Sequence, residues 1–578
     1  MGRSTPTLQA APRAAKLESR PQSREGHRDT VEAVVVAFIL ALVVRGFEAQ
    51  AFVIPTGSMA PTLTGRHKEF ACPQCGFLYA VNASQEAEAH SASQLVYSGI
   101  CVNCRYQAMH LDSVPSFKGD RILVMMFPYD LPFLPGSGPP ERWDVVVFRY
   151  PEEPEVSYIK RLVGLPGETI RIYHGDVFVK SAGSETFAQA RKPMRHQVAT
   201  QLTVYDDRYR PRSLNGKADW QRWRSDAPGW KLVDPTGSRY QSEGGSKDEW
   251  VELRYRHLVP DPEQWEAIEA DRTLPREPRS TLITDFYSYN TNMSADYCNL
   301  LDDVQSSQEG AWMQPHWVGD LTLETDLEVT KIAPNASVRL ELIKGGLPHR
   351  CTIDLGTGTA IVTRGEVELG KWETPIKGPG RYRLQFANVD ERVSLVVDGK
   401  EVGGEGIVLE SNETAPIPTA ADLAPAAIAV RNASAFASDL VLKRDIYYTQ
   451  TPGRVDYGIV WEDRFPKSPK ELFDFLSDPS RYGGLASVRS NEYPVGPDRF
   501  FMMGDNSPCS KDSRGWGRLD SEWDESDRKS WEVPRALVTG KAFYVYWPHG
   551  VPIWPNIGLS HDFRIPFRPY FERMRWIR

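Results

Sequence analysis

The sequence lacks the usual histidine chemistry of peptidases. None of its eleven His sits in a recognisable catalytic setting and no HExxH stretch occurs, so metalloprotease and Ser-His-Asp readings have no motif to stand on. Basic charge is in deficit: 68 Lys and Arg against 76 Asp and Glu leave a net charge of −8. That is the wrong sign for a nucleic-acid footprint, and no nucleic-acid partner is expected. No internal repeat is visible, which excludes a solenoid or a propeller array. Long hydrophobic runs are nearly missing too. The uninterrupted apolar stretch near the start, Ala33 to Val44, is shorter than the roughly 20 residues a helix needs to cross a bilayer. Cysteine is sparse, with seven in 578 residues.

What is present points to a mainly β protein of several domains. A chain of 578 residues exceeds a single core and implies about three or four domains. Gly and Pro at 44 each, with 16 Trp, favour turn-rich β architecture over helical bundles. Residues 1–30 form a polar arm with six Lys/Arg and three Asp/Glu, of a composition that stays disordered. Extending the apolar stretch through Arg45 and Glu48 to Ile54 gives a helix of about 33 Å, with the two charges snorkelling to the interface. Residues 31–54 thus read as a transmembrane anchor, with a cleaved signal peptide ending near "AQA" (49–51) as the competing reading. The basic arm predicts that the N-terminus stays in the cytoplasm and that the remainder is exported.

Four of the cysteines fall in two pairs, "CPQC" (Cys72, Cys75) and "CVNC" (Cys101, Cys104). Two such turns suit a zinc ribbon spanning 70–112, with four thiolates around one structural ion and no position left open for water. Two disulfides are the alternative in an exported domain. Cys298, Cys351 and Cys509 read as buried or incidental thiols.

Residues 117–180 carry short β-branched runs, "RILVMMF", "DVVVF", "SYIKRLVGL" and "TIRIYHGDVFV", separated by Pro and Gly. The 185–244 segment shows no strong periodicity and has no assignment. Between 245 and 454, "LTLETDLEV", "VRLEL" and "YRLQF" alternate apolar and polar residues, and Asp398-Gly399 supplies a tight hairpin turn. This is a β-sandwich. Its stretches "RYRLQFANVDERVSLVVDGKEV" and "DLVLKRDIYY" resemble a concanavalin-like or laminin-G jelly roll, which implies a glycan or protein ligand, or a purely structural insert. After 455 the earlier style returns in "RFFMMGDNSPCSKDSRGWG" and "ALVTGKAFYVYWP". The expectation is one discontinuous β domain (55–69, 113–184 and 455–578) interrupted by two inserts.

A serine hydroxyl is a weak nucleophile and needs a base within reach. In "SYIKRLVGLPGE", Lys160 stands among Tyr158, Ile159, Leu162 and Val163. A lone Lys on a strand ordinarily faces water. Taken with "IPTGSMAPTL", "KGDRILV" and "GDNSPCSKDSRGWG" in the same order, however, it resembles the type I signal peptidases, the membrane-bound Ser-Lys leader peptidases. The resemblance covers roughly 30–68, 115–180 and 455–550 and neither insert. It implies Ser58 as nucleophile and Lys160 as general base. It also implies Thr56 and the Ser58 N–H as the oxyanion hole, and Ser510 and Asp512 as residues orienting the lysine and the surrounding network. Arg514 would hold that motif, Asp120 with Arg121 would be structural, and Met59 would pack beneath the nucleophile. No catalytic cofactor is implied. The substrates would be exported preproteins, cut after their signal peptides at the bilayer surface. In place of the family's Arg-Asp-Asn, this chain has Ser507, Pro508 and Cys509, and Pro508 has no N–H to donate.

The lysine must be neutral to act. With an ordinary pKa near 10.4, only about one in 10³ is neutral at pH 7. An apolar pocket lowers that value. Ile159, Leu162, Val163 and the Met125-Met126-Phe127 run are the candidates to build it.

Overall fold

The computed structural model describes residues 30–39, 49–88, 94–126, 138–226, 229–234, 238–244, 248–294, 315–409, 416–452, 469–516, 531–548, 550–552, 558–560, 563–564 and 567–577, with residues 2, 91, 129 and 456. Residues 1–50 and 51–578 form separate units. In the first, residues 30–39 are helical. Among the described residues no helix is long and apolar enough to cross a membrane. Residues 40–48 of the expected anchor lie outside the described residues, and Ala49–Val53 is a β-strand, so the expected helix does not continue to Ile54.

Strands from before and after the large insert pair in one sheet. This sheet runs, in spatial order, Arg121–Met126, Val538–Trp547, Val145–Arg149, Ser157–Gly164, Arg499–Met503 and Val533–Pro534. Each strand is a short β-branched or aromatic run, and the buried positions alternate in Arg121–Met126, as a half-covered strand requires. Val146 sits opposite Lys160, while Leu162 faces Met502. The strand holding the lysine is therefore flanked by one neighbour from each side of the inserts. A second sheet orders Ala188–Gln189, Asp176–Lys180, Thr169–Tyr173 and Asn491–Pro494.

The large insert is a β-sandwich whose spine is the antiparallel pair Leu321–Lys344 and Ala426–Arg444. Bulges between Val329 and Ser337 interrupt that pairing, and the first strand changes its other partner from Gly380–Asn388 to Leu347–Asp354 on crossing them. The expected turn is there: Val397 pairs with Lys400, and Asp398 and Gly399 have φ of 51° and 77°, the conformation that Asp-Gly adopts cheaply. Its core is lined by alternate residues such as Leu321, Leu323, Leu384, Phe386 and Cys351.

The previously unassigned 185–244 segment extends this sandwich. Leu202–Asp206 pairs with Val441–Arg444, and Tyr240–Ser242 pairs with 435–437. Its Leu214 and Trp220 also pack on the four-cysteine ribbon. Weak periodicity is what short, irregular strands laid on a long neighbour produce. The aromatic C-terminal tail is packed in its described part: Arg575–Trp576 pairs with Tyr544 and Val545. Cys298 lies outside the described residues, and Cys351 is buried.

Candidate active site

Ser58 lies in a single 3-10 turn, Gly57–Met59, that follows an exposed, extended Thr56 (φ −117°, ψ 160°). The loop carrying the turn is closed at both ends by Asp120. Ile54 N donates to Asp120 O at 2.9 Å and Asp120 N donates to Thr64 O at 2.9 Å. Thr64 N and Oγ1 both donate to Asp120 Oδ2, at 2.8 and 3.0 Å. Gly119 is required by proximity, since a Cβ there would stand 1.9 Å from Ile54 O. The Gly-Asp motif is thus a clasp for the serine loop, with Arg121 beginning the strand behind it. Met59 is fully buried with Ile54, Leu63, Ile122 and Val124.

Lys160 Nζ lies 2.7 Å from Ser58 Oγ and 3.1 Å from Ile159 O, to which it donates. These residues are 102 positions apart in the chain. The alternation of the strand decides which apolar residues surround the amine. Tyr158, Lys160 and Leu162 share one face, and Val146 is the cross-strand neighbour. Tyr158, Val146 and Leu162 join one apolar cluster with Phe148, Met502 and Trp516. Ile159 packs instead with the Met59 cluster and Val163 with a third group. Two of the expected pocket residues therefore point the other way. Met126 packs with the Met59 cluster as well, and Phe127 lies outside the described residues. Burial lowers the Lys160 pKa from its ordinary range to about 8, against the pull of Asp512 and Asp505.

The last motif wraps the serine turn from the other side. Asn506 N donates to Ser58 O at 3.1 Å, and Asn506 Nδ2 donates to Gly57 O at 3.1 Å. Gly504 passes so near that a Cβ would lie 2.4 Å from Ser58 O and 2.2 Å from Ser510 Oγ. Asp512 does not bond the lysine. It accepts from Gly504 N at 2.9 Å and from Arg514 Nε and Nη2 at 2.9 and 2.6 Å. Ser510, expected to orient Lys160, is buried and its Oγ makes no hydrogen bond among the described residues. The lysine's hydrogen bonds among the described residues go to Ser58 Oγ and Ile159 O and not to Ser510 or Asp512, while Asp512 holds the surrounding network through Gly504 and Arg514.

Arg514 holds the loop as expected, donating to Ser507 O, Ser507 Oγ and Thr449 O at 2.8, 2.6 and 2.6 Å. The Ser507-Pro508-Cys509 departure forms a short 3-10 turn with the proline in its first positions. Amides there have no intrahelical acceptor, so the missing N–H costs little.

Several residues at the site escaped the sequence reading. Arg161, next to the lysine and on the opposite face, forks onto Asp505 with Nε and Nη2 each 2.6 Å from a carboxylate oxygen. It also donates to Trp143 O and Thr62 Oγ1. Both charges are fully buried. The available signal was an Arg at an inward position of an apolar strand, which demands a partner. Arg573 and Arg575 of the tail donate to Thr64 Oγ1 and Thr62 O at 2.8 and 2.9 Å. Asn290, from the insert, bonds Asn506; nothing in its local sequence marks it.

The four cysteines come together. Their Sγ atoms all lie within 4.8 Å of one another, with Cys72 to Cys104 at 3.6 Å and Cys75 to Cys101 at 3.7 Å. Thiolates about 2.3 Å from a tetrahedral ion stand about 3.8 Å apart, whereas disulfide sulfurs stand about 2.05 Å apart. The set fits a metal ion and does not fit two disulfides.

A half-buried serine beside a buried lysine on a β scaffold has the make-up of a serine hydrolase-type site with an amine base. The comparisons narrow it. Residues 106–217 match the family model described as signal peptidase, peptidase S26. The signal peptidase I of Pseudomonas aeruginosa is 56% identical over 59 residues, covering 9% of this chain and 21% of the relative. That of Pseudomonas fluorescens is 34% identical over 144 residues, covering 24% and 49%. That of Rickettsia bellii is 26% identical over 148 residues, covering 26% and 38%. The chain spans no more than about half the length of these relatives. In its matched pieces it resembles the type I signal peptidases. Among solved structures, a carbohydrate-binding module of Bacillus subtilis aligns with 39% of this chain and 96% of its own, at 10% identity and a TM-score of 0.22. That likeness is too low to support an argument.

Proposed function

We infer that the chain is a membrane-bound serine endopeptidase that removes signal peptides from exported preproteins by a Ser-Lys mechanism. The observation that carries this reading is the 2.7 Å approach of Lys160 Nζ to Ser58 Oγ. Neutral Lys160 takes the proton as Ser58 Oγ attacks the scissile carbonyl. The charge that develops on the carbonyl oxygen is met by the Ser58 N–H, which has no acceptor within its own turn, and by the Thr56 hydroxyl. Each such donor is worth about 3–4 kcal/mol. The lysine returns the proton to the leaving amine, and water then releases the acyl group from Ser58. The apolar segment that begins at residue 31 and ends before the strand Ala49–Val53 is proposed as the anchor, with the N-terminus cytoplasmic. Ser58 follows ten positions after residue 48, so enzyme and signal peptide would meet near one interface, where their effective concentration is high.

Cleavage of a signal-peptide-bearing preprotein by the full chain tests this, with Ser58→Ala as the inactive control. Only the neutral amine accepts a proton, and burial places its pKa at about 8. The rate should therefore rise about tenfold per pH unit below 8 and level off above it. Ser58-independent cleavage, or a rate falling between pH 6 and 8, would remove the reading.

The Cys72, Cys75, Cys101 and Cys104 cluster is proposed to hold a structural zinc ion, because thiolates and a closed tetrahedron suit that metal. One zinc per chain by elemental analysis is expected, and its chelation should lower the melting temperature. Protein purified without stoichiometric metal and equally stable would rule this out.

A further inference from the structure

The segment that touches the serine turn from outside the peptidase motifs is a single 3-10 turn of the insert, Ser288–Asn290. Asn290 and Asn506 exchange amide hydrogen bonds: Asn290 Nδ2 donates to Asn506 Oδ1 at 2.7 Å, and Asn506 Nδ2 donates to Asn290 Oδ1 at 2.8 Å. The same Asn506 amide donates to Gly57 O, and its backbone N donates to Ser58 O. A terminal amide rotates over a broad range when free. Here the reciprocal pair occupies both of its polar ends and sets its plane. Tyr289, almost wholly buried, closes against the turn so tightly that a Cβ on Gly57 would meet its ring at 2.2 Å.

The far side of the segment is fixed as well. Thr291 Oγ1 accepts from Ile100 N at 2.8 Å, and Met293 pairs with Ser98 of the ribbon strand Val96–Ile100. Ile100 directly precedes Cys101, one of the four clustered cysteines. The segment is thus held between the cysteine ribbon and the serine turn.

We propose that this insert segment is a positioning brace for Ser58, and that Asn290 is its positioning residue, acting through Asn506. It touches neither the hydroxyl nor the amine. It holds the turn that keeps Ser58 Oγ in bonding range of Lys160. A nucleophile displaced by about 1 Å loses on the order of 10²-fold in rate. The loss should fall on kcat, since the brace positions the nucleophile and not the substrate. On this view the inserts complete the site and are not passengers on it. The turnover readout rests on the peptidase reading above; the exchange readout below does not.

The test compares wild type, Ser58→Ala, Asn290→Ala and Asn290→Asp as full-length chains. Amide hydrogen exchange is followed for the peptide covering 54–63, together with cleavage kinetics. In Asn290→Ala, exchange of 54–63 is expected to quicken at least about tenfold. The kcat should fall about 10- to 100-fold, with KM within about twofold, the pH midpoint unmoved and the melting temperature nearly unchanged. Asn290→Asp keeps the acceptor for Asn506 Nδ2 but loses the donor, so it should fall between; it carries the test if the alanine variant does not fold. Unchanged exchange at 54–63 overturns the brace, as does a rise in KM with kcat retained. Wild type that fails to cleave while Asn290→Ala still loosens 54–63 would overturn the peptidase reading and leave the brace standing.

Discussion

Lys160→Met should lower preprotein cleavage by at least about 10³-fold while the protein stays folded. The thioether fills nearly the same volume as the lysine stem and cannot accept a proton. Ser58 is then left as an ordinary hydroxyl, a weak nucleophile without its base. General bases contribute about 10²–10⁴ in rate. Stability should hold or rise slightly, because Lys160 is buried against an apolar cluster and its amine makes only two hydrogen bonds. Lys160→Arg should be equally inactive, since a guanidinium keeps its proton at any working pH, and it should also be less stable. Turnover in either variant within tenfold of wild type would sink the assignment of the base.

Asp505→Ala should give the largest loss of stability, about 3–5 kcal/mol in denaturant unfolding of the peptidase domain. The Arg161 guanidinium and the Asp505 carboxylate have no solvent exposure. Removing the carboxylate takes away the counter-charge of a buried cation that also donates to Trp143 O and Thr62 Oγ1. The paired replacement Arg161→Met with Asp505→Leu should recover much of the loss, because no charge is then stranded. Cleavage should fall with Asp505→Ala as well, since Asp505 precedes Asn506 and Arg161 follows Lys160 in the chain. A loss below about 1 kcal/mol for the single change would mean that water reaches this pair, against its full burial.

The chemistry of the site was readable because it is written in short local runs. Ser58 between two prolines, Lys160 in an apolar strand, and the Gly-Asp-Asn stretch each declare a residue type where the polypeptide has little conformational choice. The two CxxC pairs were readable for the same reason, as were the Asp398-Gly399 turn and the alternation of the sandwich strands. The errors came where a face had to be chosen. Ile159 and Val163 are adjacent to the lysine and its strand in sequence, yet a period of two turns them away. Ser510 matched by position but has no bond to the amine.

By itself the sequence determined the candidate serine and lysine, the cysteine set and the β class. These follow from residue chemistry and from periodicity over a few residues. Tertiary structure alone decided that Arg161 closes on Asp505 across 344 positions, that Asn290 reaches Asn506 across 216, and that the unassigned segment joins the sandwich. Those pairings depend on how sheets and loops pack, and a buried charge or amide takes whichever complementary group the fold brings within about 3 Å.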